Sequence, residues 1–184
     1  MFLKLGAVIF AMLGFSGCAA TGDIYSDVLK KQVVVDATKG RLIFYRTTAT
    51  IAAAGRAARI TTDGENSKYV NYGGFAIHAA DPGPHYLNVY MGENFVRCEL
   101  RVLVTADEEL FFEVKPNVDR IMGEAVAAGM SAGFQASGRY TATAYYAGKG
   151  YDEGMSNCQG YFSIAQVSRE NALKELVSIR ESAQ

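Results

Sequence analysis

Two histidines, His78 and His85, stand three residues before and four residues after Asp81. Imidazole and carboxylate groups at such spacing suit a zinc ligand set or an acid–base pair, because both groups can bind a metal or exchange a proton. If "FAIHA" and "HYLNVYM" pair across the turn between them, both rings flank one hairpin end. Zinc would need a further ligand and outer hydrogen-bond partners, and the sequence points to neither. Turn chemistry accounts for the same residues, with Asp81 capping a Pro-Gly corner and His85 opening a strand. Nucleophilic catalysis has less behind it. No G-x-S-x-G elbow occurs, and neither histidine has a Ser or Cys partner in an order that hydrolases use. The glycine-rich spacings lack the strand-to-helix context and the Lys-Ser/Thr end of a phosphate loop. No catalytic residue, metal or cofactor is therefore assigned. A metal-dependent or hydrolytic envelope enzyme using His78 and His85 is the alternative reading.

The cysteines divide into two kinds. Cys98 and Cys158 lack the close spacing of a zinc site or a redox CxxC motif, and in an oxidising compartment they are most simply a disulfide. Closing a loop of about 60 residues stabilises by about 4 kcal/mol on the chain-entropy estimate. Two separately buried thiols are the other arrangement open to them. Cys18 is different, because it ends an apolar run. Lys4 and the amino terminus supply positive charge, "LGAVIFAMLGF" from Leu5 to Phe15 is uncharged, and "SGC" follows. That is the layout of a secretory signal peptide. A membrane span needs about 20 apolar residues, and this run is shorter.

Small residues ahead of a cysteine resemble the lipobox of bacterial lipoproteins, in which the sulfur takes a diacylglycerol and the new amine is acylated after cleavage. Phe15 departs from the Leu, Val or Ile usual in that family. The resemblance implies a signal peptide over 1–17 and lipid on Cys18, and the polar stretch "TGDIYSDVLKKQVVVDAT" with its short Val run reads mainly as a tether over 18–38 whose helical content is open. Two or three acyl chains hold a protein at a bilayer where one holds it only marginally. By the same resemblance, Ala19-Ala20 with no aspartate after the cysteine implies an outer-membrane destination facing the periplasm. Cleavage after Ala20 would instead release a soluble periplasmic ligand-binding protein.

Removing the first 17 residues leaves 167, enough for one domain with a substantial core. The formal net charge is −1, with Lys and Arg scattered, which excludes a nucleic-acid footprint. From Arg41 onward, short segments rich in β-branched and aromatic residues alternate with Gly, Pro, Asp and Asn, as strands alternate with turns. "RLIFYRT" is apolar on both faces, as a central strand would be. "ARITTD" runs into a turn, "KYVNYGGFAIHA" is broken by Gly73-Gly74, and "ADPGPHYLNVYMG" feeds a strand from a Pro/Gly corner. In "FVRCELRVLV" the apolar residues and Cys98 share one parity while Arg97, Glu99 and Arg101 share the other, predicting a half-buried strand. "ELFFEVKP", "RYTATAYYAG" and "GYFSIAQV" supply further strands. Ser168 as N-cap, Glu170 in the first turn and apolar spacing through Leu173, Leu176 and Val177 predict a C-terminal helix over 168–181 lying on the sheet. The fold expected over 39–184 is an antiparallel β-sandwich with that helix.

The order of "GRLIFYR", a glycine pair, "PGPHYLNV", "EELFFEV" and "YFSIAQVSRENALKEL" resembles a family of bacterial lipoproteins catalogued as domain of unknown function 2846, from about Lys39 to Glu181. "DPGPHYLNV" is also similar to a hairpin of prealbumin-like, PEGA-like β-sandwich modules of surface proteins. The resemblance implies a sandwich and an envelope location, and it brings no reaction.

Two stretches are candidate binding surfaces. In "IMGEAVAAGMSAGFQASG", residues 121–138, Ala125, Gly129 and Gly133 recur every four residues, which on a helix makes a smooth groove for a partner helix or a membrane. A surface loop, or a helix packed on its own domain, would read the same way. In "RYTATAYYAGKGY", Tyr140, Tyr145 and Tyr146 fall on alternating faces, so an aromatic ring looks outward and suits glycan or protein contact. Filling of the core is the competing use of these rings. The expectation is a lipid-anchored, non-enzymatic binding or assembly component of the cell envelope, held to the membrane and contacting an envelope protein or a glycan.

Overall fold

A computed structural model describes residues 19–31, 36–49, 53–92, 97–118, 120–121, 156–158 and 160–182. Among these, two sheets of five strands pack face to face. The first holds, in spatial order, β10 (Arg180–Glu181), β4 (Gly74–Ala80), β1 (Gly40–Tyr45), β7 (Glu109–Pro116) and β9 (Phe162–Val167). The second holds β3 (Glu65–Val70), β2 (Ala58–Thr62), β5 (Gly83–Met91), β6 (Cys98–Val104) and β8 (Ser156–Cys158). This is the expected β-sandwich. The second sheet is antiparallel throughout, whereas in the first β7 runs parallel to β1 and β10 parallel to β4.

Residue type explains why each strand sits where it does. In β6, Cys98, Leu100, Val102 and Val104 are buried while Arg101 and Leu103 are exposed, the alternation of a strand with one wet face. Strand β1 carries no such alternation because both its faces are covered. Leu42 and Phe44 enter the core between the sheets, with Leu87, Val89, Leu100, Phe112 and Ile164. Ile43 and Tyr45 enter a second core on the outer side, with Phe75 and Phe111. Each such side chain contributes about 1.5–3 kcal/mol when buried.

Two helices close that second core. One is α1 (Tyr25–Lys31), contributing Tyr25 and Val28, and the other is α2 (Arg169–Leu176), contributing Ala172 and Leu176. Helix α1 lies within the stretch 18–38 that is expected as a tether and whose helical content the sequence leaves open. Ile24, Val28 and Tyr25, Leu29 recur at helical spacing, and burial against Phe75 and Phe111 outweighs the polar flanks.

The C-terminal helix also ends earlier than the expected 181. Ser168 caps it, its Oγ accepting from Asn171 N at 3.4 Å. After Leu176 the chain turns, Ile179 is buried, and Arg180–Glu181 become β10. The backbone N–H groups of Arg180 and Ser182 donate to the carbonyls of Gly73 and Phe75, so the edge of β4 gains main-chain partners that a continued helix would deny it. Val177, expected against the sheet, is 76% exposed. The turn carries it past the buried stripe, and Ala172 packs there in its stead.

Candidate functional site

The residues just after Cys18 are sewn into one end of the sandwich. Ala19 bridges Tyr72, and Ala20 N donates to Tyr72 O at 3.3 Å. Gly22 N donates to Glu181 O at 3.1 Å, Glu181 N donates to Asp23 O at 2.7 Å, and the Arg180 guanidinium donates to Gly22 O at 3.2 Å. Ile24 bridges Arg180, and Asp23 pairs with Lys31.

Glycines allow the close approach. A Cβ on Gly74 would press on Ser182 Oγ and stand 2.8 Å from the Ala20 Cβ, and one on Gly22 would stand 2.7 Å from Glu181 O. Tyr25 then packs edge-on against Phe75 and Phe111, with ring centroids 5.4 and 6.5 Å away. Burial, reinforced by the Glu109 charge, pushes its phenol up to about 12.

Beside this seam, Tyr72 Oη donates to Thr48 O at 2.7 Å. Arg46, 1% exposed, donates to the carbonyls of Arg56 at 2.7 Å and Ala53 at 2.8 Å, with the Tyr72 and Phe162 rings 5.6 and 4.9 Å from its guanidinium carbon. A buried guanidinium therefore holds the β1–β2 connection against the end of the sandwich that receives Ala19. Burial lowers its affinity for a proton.

The histidine cluster lies at the opposite end. The β2–β3 turn places Asp63 and Gly64 at φ 54° and 84°, the positive values that a tight hairpin of this kind needs. Asp63 Oδ1 accepts from Tyr86 N at 2.8 Å, and its Oδ2 lies 2.6 Å from His85 Nδ1. His85 Nε2 lies 2.7 Å from the Asp81 carbonyl oxygen, and Lys39 Nζ pairs with the Asp81 carboxylate at 3.1 Å. Burial alone would lower the His85 pKa, but the Asp63 hydrogen bond, the Asp81 carbonyl and both carboxylate charges together raise it. His78 shifts the other way, lowered by burial and then by Lys68, His85 and Lys39.

At the Pro-Gly corner Asp81 offers its carbonyl to His85 and its carboxylate to Lys39. Yet both ring nitrogens of His85 are engaged inside the protein, so metal ligation or proton abstraction there would first break one of these bonds. Among the described residues, no group of three or more His, Cys, Asp or Glu is placed to hold a metal ion.

Cys98 and Cys158 face each other across β6 and β8 and form a disulfide. Cys18, Ala125, Gly129, Gly133, Tyr140, Tyr145 and Tyr146 lie outside the described residues, as does the expected strand "RYTATAYYAG". Among the described residues, no helix is long and apolar enough to cross a membrane.

The sequence does not single out Asp63, Tyr72, Tyr25 or Arg46 as site residues. The Asp63-Gly64 pair is a hairpin signal and the spacing of Ile24, Tyr25, Val28 and Leu29 a helical one, so both were open to sequence reading. Nothing local marks Arg46 for burial.

No protein-family model matches the chain, and no curated protein matches it in sequence. Its own residues carry the functional reading.

Proposed function

We propose that this protein is a lipid-anchored lipoprotein of the bacterial cell envelope, acylated on Cys18, facing the periplasm from the outer membrane and acting as a non-enzymatic binding or assembly component. The observation that carries the proposal is the packing of Ala19 and Ala20. A chain cleaved before Cys18 keeps both residues. One cleaved after Ala20 loses the main-chain bond to Tyr72 and uncovers Gly74. The fit of these two alanines therefore supports a mature chain beginning at Cys18 over a soluble product. The small residues before the cysteine point the same way, and the short apolar run and the Cys98–Cys158 disulfide support export to an oxidising compartment.

The contact region proposed for an envelope protein is the Gly/Ala run over 121–138, and for a glycan the surface with Tyr140, Tyr145 and Tyr146. Deleting 121–138 and comparing partners captured from detergent extracts separates the two, since loss of the partner selects the first and retention the second. The anchor itself is tested by Cys18→Ser. The wild type should incorporate labelled fatty acid and sediment with membranes, and the variant should do neither. A wild type that takes up no label and washes free of membranes would overturn the proposal.

A further inference from the structure

We infer that the domain rests directly on the phospholipid headgroups through the end of the sandwich formed by Ala19, Thr48 and Tyr72, with no slack chain between lipid and fold. The inference rests on acylation of Cys18. It follows from the contacts of the residue next to Cys18. A free tether over 18–38 would reach about 70 Å when extended. Instead, Ala19, the next residue after Cys18, is already bridged to Tyr72, and successive Cα atoms are only about 3.8 Å apart. A lipid on Cys18 is therefore held within one residue of the Tyr72 backbone.

Charge fits the same orientation. The described turns at this end hold Arg46, which is buried, Arg56, Arg97, which lies 3.7 Å from the Glu99 carboxylate, and Arg120, while Glu93 and Asp119 of the same turns lie outside the described residues. Arg56 and Arg97 are exposed. Of the acids nearest to the seam, Asp23 is paired with Lys31. The opposite end is acidic. Its turns carry Asp36, Asp63, Asp81, Asp107 and Glu108 against Lys39 and His85. An anionic leaflet attracts an exposed Arg and repels a carboxylate. Tyr72, partly exposed with its hydroxyl bonded to Thr48 O, suits the boundary between apolar and wet layers. Anchor and charge thus both turn this end to the bilayer and the histidine end away from it.

The absence of tryptophan from the chain gives a direct test. Single tryptophans are placed at the near end (Thr48→Trp, and separately Arg56→Trp should the first disturb the turn) and at the far end (Pro82→Trp). The acylated full-length proteins are reconstituted into vesicles of phosphatidylethanolamine and phosphatidylglycerol carrying a headgroup spin label. Quenching should be several-fold stronger at either near-end position than at Pro82→Trp. Inserting a flexible Gly-Ser spacer of about 20 residues between Cys18 and Ala19, with a root-mean-square reach of about 25 Å, should abolish the difference. Equal quenching at both ends, in protein that floats with the vesicles and carries the lipid mass, would overturn the inference and leave the anchor standing. Protein that neither floats nor carries lipid would overturn both.

Discussion

His85 faces an oxygen from each ring nitrogen, the Asp63 carboxylate at 2.6 Å and the Asp81 carbonyl at 2.7 Å. A neutral imidazole has one N–H and satisfies one of them, whereas an imidazolium satisfies both. The folded state therefore raises the His85 pKa above its ordinary 6.5, and the stabilisation is complete below that value and lost as pH rises through the folded one. Asp63 is lowered from 3.8, since its bonds to Tyr86 and His85 outweigh burial, so its share is lost only on acidification. His78, lowered by burial, already prefers the neutral form above pH 6.5 and adds little slope there. The urea midpoint should accordingly fall as the pH rises above 6.5 in the wild type, and the fall should vanish in His85→Gln. A slope that survives in that variant would assign the titration elsewhere. Such a charged latch is legible in the sequence only in part. The His-Asp-His spacing marks the corner, but Asp63, 22 residues before His85, is brought in by the pairing of β2 with β5.

Helix α1 and strand β10 act as a unit, because the N-terminal strand-like segment is bonded to the C-terminal one and both lie on β4. Two substitutions probe this seam from different sides. Tyr25→Ala removes a ring that is 4% exposed and should cost about 3 kcal/mol, in the range for emptying a buried aromatic site. Gly74→Ala adds a methyl against Ser182 and Ala20 and should cost about 1–3 kcal/mol by overpacking. Each should expose Lys30 and Lys31 to trypsin well before the sandwich itself is cut. Unchanged protection of those sites would mean that the segment holds without the packing described. The seam was hidden in the sequence because residues 21–31 are polar on average, and the signal for burial is a helical stripe only a few residues long. Leu173 and Leu176 were readable for the same reason that Val177 misled, since periodicity cannot tell where a helix stops.

Across the whole molecule, the sandwich follows from alternation that any strand with one wet face must show, and "FVRCELRVLV" displays it most clearly. The parallel β1/β7 pairing was not readable, because it depends on which edges meet once both faces of β1 are covered. The disulfide joins β6 to the three-residue β8 and closes a loop of 60 residues. Reduction, or Cys98→Ala with Cys158→Ala, should lower stability by about 4 kcal/mol through the freed unfolded chain. An unchanged urea midpoint under reducing conditions would contradict that estimate.

These scales converge on a domain whose fold already includes Ala19, the residue after Cys18, which makes the chemistry of Cys18 decisive. Intact mass spectrometry of the mature protein extracted from membranes reads that residue directly. The account predicts a chain starting at Cys18 and heavier than its polypeptide by a diacylglyceryl group and an acyl group. An unmodified chain starting at Thr21 would contradict it.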